Sequence, residues 1–209
     1  WAVENTREAI FDAMKRREVY ATTGSRIQVR MFGGWEFEAD DFQDPNYLDK
    51  GYSHGVPMGG DLTEAPKNTA PSFMVVAAKD PDGANLDRVQ IVKGWLNRKG
   101  ELQEKVYDVA WSGNRKIDSS TGKLPAVGNT VDVELATYKN TIGSASLATV
   151  WEDPDFDGTE RAFYYVRVLE IPRPRWTTYD AAYFDIDIPE GAPKTIQDRA
   201  YTSPIWYTP

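Results

Sequence analysis

The run most suggestive of chemistry is Asp153-Pro154-Asp155-Phe156-Asp157-Gly158. Three aspartates at alternate positions can point carboxylate oxygens at one cation, and the glycine permits the sharp turn that such a loop needs. The pattern fits the first half of a calcium loop and then fails. Tyr164 stands where a bidentate glutamate would close the loop, no helical pattern flanks the run, and Glu160 is the nearest substitute. Asp153, Asp155 and Asp157 are therefore calcium candidates, with a solvated acidic hairpin between two strands as the competing reading.

His54 is the single histidine, in the glycine-rich run Gly51-Tyr52-Ser53-His54-Gly55. An imidazole there can serve as ligand or acid–base group, with Asp61 as a helping carboxylate. An ordinary surface-loop histidine explains the same residues. Ser53 and Ser203 lack a nucleophile-elbow motif, so a serine triad is not indicated. Tyr20-Ala21-Thr22-Thr23-Gly24 and Met58-Gly59-Gly60-Asp61 are turns; a phosphate loop would need a Lys-Ser/Thr pair and a following helix.

Hydrolytic metal sites need three or more protein ligands, usually with histidine among them. With one histidine and no cysteine in 209 residues, no catalytic residue and no cofactor are expected in this chain. The missing cysteines also exclude disulfides. A net charge of −8 argues against binding duplex nucleic acid. No apolar run approaches the ~18 residues that a membrane helix requires. Seven tryptophans, 11 tyrosines and 8 phenylalanines leave room for rings that stack on sugars, so a carbohydrate-binding module is a rival reading. Core packing uses the same rings.

Patterning predicts the elements that would position these residues. Asn5 and Glu8 form a capping-box-like pair before Ala9, Ile10, Ala13 and Met14, so a helix is expected over about 5–17. Period-two patterns then predict strands around Val19–Met31, Ser72–Ala78, Val89–Trp95, Leu102–Trp111, Val131–Leu135, Leu147–Trp151, Phe163–Ile171 and Ile205–Tyr207. Residues 33–67 read as one long loop, of the kind that is usually functional or packed against something else. The Pro172 and Pro174 pair ends the strand before it. One helix followed by seven to nine strands predicts a mainly β fold. The expected architecture is an immunoglobulin-like antiparallel β-sandwich preceded by one N-terminal α-helix.

Several phrases occur together: Asn5 to Ala13, Arg16 to Gly24, Gly55 to Leu62, Gly83 to Gly94, Ala162 to Pro172 and Thr202 to Trp206. Over essentially its whole length the chain resembles the C-terminal part of the bacterial domain-of-unknown-function 3604 family. Members of that family resemble PHP-type (polymerase and histidinol phosphatase) metal-dependent hydrolases. The resemblance implies that residues 1–24 are the last helix and strand of an upstream hydrolase barrel, and that 25–209 are an appended β-sandwich. The chain opens on Trp1 and reads as a fragment. The resemblance further implies a divalent metal in the upstream domain, which would be this segment's partner, and favours a periplasmic or secreted location. The family's His-x-His and Asp-x-His metal motifs have no counterpart here. The expected role is scaffolding, with the 33–67 loop shaping a substrate entrance.

Overall fold

Alternation along the strands decides which side chains are buried. In Ala162–Glu170 every even-numbered residue is buried and every odd one half-exposed, as the two faces of a pleated strand require. The computed structural model describes residues 1–209. In chain order the elements are helix α1 (Arg7–Lys15), strands β1 (Tyr20–Thr22) and β2 (Gln28–Gly34), a 3-10 turn (Asp41–Gln43), helix α2 (Tyr47–His54), and strands β3 (Gly55–Pro57), β4 (Asp61–Leu62), β5 (Ser72–Ala78), β6 (Leu86–Leu96), β7 (Leu102–Trp111), β8 (Ser146–Glu152), β9 (Ala162–Glu170) and β10 (Arg173–Pro174). Helix α3 (Trp176–Phe184) and strands β11 (Thr195–Ile196), β12 (Arg199–Thr202) and β13 (Ile205–Tyr207) complete the chain.

The fold is a mainly β sandwich. One sheet has seven strands, with β7, β6 and β9 antiparallel in that order. The far edge of β9 is shared. Its first residues pair with β13, which carries β4, and its last with β12, which carries β1. Between the two, the Val166 N–H donates to Thr202 Oγ1 at 2.9 Å, so a side chain fills the gap in the ladder. The second sheet runs β3-β2-β5-β8 and is antiparallel throughout. The one parallel pair in the sandwich, β13 with β4, departs from the all-antiparallel expectation.

The two sheets meet over one core. Val29, Met31, Phe73 and Val75 from the smaller sheet pack with Ile91, Tyr164, Val166 and Ile205 from the larger. Phe73 and Tyr164 bring their ring centroids within 4.5 Å; such a pair adds roughly 0.5–1.5 kcal/mol beyond area burial. A second cluster of Phe32, Phe37 and Met74 lies under Phe42, Tyr47 and Leu48. Strand β5 is thus covered on both faces, which is why it reads as an unbroken apolar run.

Several sequence expectations need correction. Thr6, not Asn5, caps α1, its side chain accepting from the Ala9 N–H. There are three α-helices rather than one. The 33–67 stretch is not one loop, since it holds the 3-10 turn, α2, β3 and β4. Gly51 inside α2 disguised that helix. The Phe32 ring lies where a Cβ on Gly51 would stand, 2.7 Å from its position, so the glycine serves tertiary packing at the cost of local propensity. Val131–Leu135 is a turn rather than a strand, because the Asp132 carboxylate takes the Leu135 N–H at 3.0 Å and captures the backbone locally.

The N-terminal residues are tied to the sandwich. Strand β1 extends the larger sheet, the Trp1 indole donates to the Val29 carbonyl at 2.9 Å, and the Arg30 guanidinium lies 3.7 Å above the Trp1 ring. No helix is long and apolar enough to cross a membrane.

Candidate functional site

The acidic run forms the connection from β8 to β9, and its geometry begins with a lysine. Lys93 lies on β6 on the same side as Val89 and Ile91, so its ammonium is carried into the interior. It meets Asp153 at 2.6 Å, with the two side chains 3% and 0% exposed. Asp153 also accepts from the Tyr164 hydroxyl at 2.8 Å and from the Asp155 N–H at 2.9 Å. Lys93 in turn donates to the Asp155 carbonyl at 2.8 Å. Burial and the neighbouring Asp153 charge hold the Tyr164 hydroxyl protonated far above its ordinary range.

The three aspartates do not converge. Asp153 faces Lys93, Asp155 faces Lys105 and the Tyr107 hydroxyl, and Asp157 faces Arg98 at 2.7 Å. Bonds from the Thr159 hydroxyl and N–H, then from Arg98, lower the Asp157 carboxyl to about 2. Bonds from Lys105 and Tyr107 lower Asp155 as well. Each carboxylate has its own cation, so the shared calcium centre suggested by the spacing is not assembled. No three His, Cys, Asp or Glu side chains in the chain gather closely enough to hold a metal ion. The tertiary partners, invisible in the local spacing, account for the difference.

This loop forms one wall of a groove of about 740 Å³. The other wall is the 64–70 connection between β4 and β5, and Phe156 and Tyr207 lie between them. The Tyr207 hydroxyl donates to the Gly158 carbonyl at 2.8 Å and fixes the loop from below. Phe156 packs edge-on against Tyr207 at 4.9 Å and tilts against Trp35 at 6.0 Å.

The other candidates lie elsewhere. His54 ends α2 in an exposed position, its Nδ1 2.8 Å from Ser53 Oγ. Ser53 donates to the Asp49 carbonyl at 2.7 Å, an ordinary bond within the helix. Asp61 on β4 pairs with Arg17 at 2.7 Å, both side chains more than half exposed. Ser203 donates its N–H to the Val19 carbonyl and sits between β12 and β13.

Two chemically unusual residues escaped the sequence reading. One is Lys93. The other is Glu170, which is 0% exposed and has no hydrogen-bond partner on either carboxyl oxygen. Strand parity carried the signal for both, since Glu170 follows Tyr164, Val166 and Val168 on the core face. Burial raises the Glu170 pKa, the Asp198 and Asp80 charges add to the rise, and the Arg173 guanidinium opposes it. A carboxyl raised on folding contributes fully below its unfolded value, near 4.5, and loses that contribution as pH climbs through the folded value. Glu170→Gln removes the titration while keeping the shape. The variant is expected to gain stability relative to the parent between about pH 4 and pH 8, because it has no carboxylate to ionise in the core. Urea unfolding at the two pH values measures it.

The family model described as "Protein of unknown function (DUF3604)" matches residues 1–209. The chain belongs to the DUF3604 family. No curated protein and no solved structure matches it. For this DUF3604 chain, the groove walled by the Asp153–Gly158 loop is the site at which the structure gathers polar side chains, an aromatic platform and a rigid frame.

Proposed function

We propose that this chain is the non-catalytic C-terminal β-sandwich of a larger bacterial PHP-type metal-dependent hydrolase. In this reading it packs on an upstream catalytic domain that holds the divalent metal, and it helps to shape the substrate entrance.

The observation that supports the reading is α3. Trp176, Tyr179 and Tyr183 recur at i, i+3 and i+7 and so share one helix face, and Phe184 follows directly. A helix in a globular protein normally buries such a stripe. Here Trp176 is 64% and Tyr183 83% exposed, and Thr178 alone is buried. The turn at Val133 and Glu134 lies beside the end of the helix, adding exposed Leu135 and Ile186 nearby. Exposed aromatic patches of this kind mark protein interfaces. Ile10, Phe11 and Met14 form a smaller apolar surface on α1.

The test substitutes Tyr183→Asp together with Phe184→Asp, in the full-length gene product and in the isolated chain. The thermal midpoint of the isolated chain is expected to stay within about 2 °C, since surface changes cost little. The full-length protein is expected to lose several degrees and to become more sensitive to proteolysis between its domains. An unchanged full-length protein would sink the reading. Robust Mn²⁺- or Zn²⁺-dependent turnover of phosphoesters by the isolated chain would do the same.

A further inference from the structure

We infer that the groove between the 64–70 and 152–158 connections binds a neutral, hydroxyl-rich ligand, namely a short oligosaccharide. The inference stands apart from the docking reading, because it concerns the opposite kind of surface: concave, polar and rigid.

The first support is a contrast between paired and unpaired side chains around the groove. Asp153 is saturated by Lys93 and Tyr164, and Asp157 by Arg98 and Thr159. At the rim, Glu64, Lys67, Asn68 and Glu152 make no side-chain hydrogen bond or ion pair within the chain. Four polar side chains of complementary kinds thus border one groove without internal partners. A carboxylate accepts from two hydroxyls at once, an ammonium donates to several, and an amide does both. Charge-assisted bonds of this type are roughly twice as strong as neutral ones.

The second support is an apolar ring in the same groove. Phe156 is half-exposed and held by Trp35 and Tyr207. A fixed ring beside hydroxyl-seeking groups suits a sugar, which presents C–H faces and O–H edges together. The third is preorganisation. The loop that carries Phe156 is pinned by the buried Lys93–Asp153 pair and by Tyr207, so little ordering cost falls on binding.

Charge and size select among ligand classes. Two unpaired carboxylates against one ammonium disfavour an anion. The scarcity of apolar lining removes the driving force for a lipid or drug-like ligand. A volume of about 740 Å³ accommodates a short glycan.

The experiment titrates the isolated chain with neutral cello-, xylo-, manno- and malto-oligosaccharides by calorimetry, alongside Lys67→Ala and Glu152→Gln. Both sites are exposed and unpaired, so unchanged thermal midpoints are expected in the two variants. One oligosaccharide series is expected to bind with a Kd below about 1 mM, and each substitution to weaken it about tenfold or more. No binding by any series at millimolar concentration overturns the inference. So does binding that both substitutions leave unchanged, or calcium binding that Glu152→Gln abolishes without any glycan binding.

Discussion

Asp153→Ala is expected to lower the unfolding free energy by about 3–5 kcal/mol, the range for stripping one partner from a buried ion pair. The substitution leaves the Lys93 ammonium in the core without its counter-charge and the Tyr164 hydroxyl without its acceptor. For a chain of this size the thermal midpoint should fall by roughly 6–20 °C. Asp153→Asn keeps an acceptor but not the charge, and should fall between parent and alanine variant. The pair itself need not be stabilising, because desolvating both charges offsets most of their attraction. The combined Lys93→Met, Asp153→Leu variant should therefore recover a large part of the loss, and urea denaturation of the three proteins measures the recovery. If Asp153→Ala unfolds within about 1 kcal/mol of the parent, the pair is not the anchor of the loop. The same substitution should weaken any ligand of the groove, since Asp153 also organises the turn that presents Phe156.

Gly59→Ala is the second substitution with a large expected effect. Gly59 has φ +87°, and a Cβ there would lie 2.2 Å from the Arg17 carbonyl oxygen and 2.5 Å from the Arg17 carbonyl carbon. Both obstacles are backbone and cannot swing aside. Gly59 also donates to the Pro204 carbonyl at 3.1 Å, and the buried Met58 before it donates to Met31 at 2.9 Å. The turn therefore ties the start of the sandwich to both sheets. The left-handed backbone alone costs roughly 1–2 kcal/mol for a residue with a Cβ, and the clash raises the expected loss to about 3 kcal/mol or more. Gly100→Ala separates the two effects. Gly100 has φ +78° with nothing within 4 Å of its would-be Cβ, so only the dihedral cost of about 1–2 kcal/mol should appear. Equal losses at the two positions would contradict this account.

Opposite pH dependences follow from the carboxyl groups. Arg26, through its N–H and then its guanidinium, holds Asp80 down at about 2, and Thr159 and Arg98 do the same for Asp157. Groups lowered on folding contribute above their unfolded values and lose that contribution as pH falls toward about 2. Glu170 acts in the other direction, its burial penalty growing as pH rises from about 4.5. Stability should therefore peak in mildly acidic solution, and Glu170→Gln should move the peak toward neutral pH.

Local pattern determined the sheets. The alternation in Ala162–Glu170 admits one arrangement, because a one-residue slip would turn every core side chain to solvent, and the unbroken apolar run in Ser72–Ala78 marks a strand covered on both faces. The same parity placed Lys93 and Glu170 inside, although reading it required trusting the register against the residue type. The absence of thiols and the single imidazole bounded the chemistry before any coordinates. Tertiary structure alone decided the rest. It put a helix across Gly51, because Phe32 needed the space. Above all it decided the fate of the aspartates. Their alternate spacing allows one shared cation, but Lys93, Lys105 and Arg98 arrive from other strands and turns and give each carboxylate a separate partner. Electrostatic partnership depends on distance in space, and distances between strands far apart in sequence exist only once the sheets have packed.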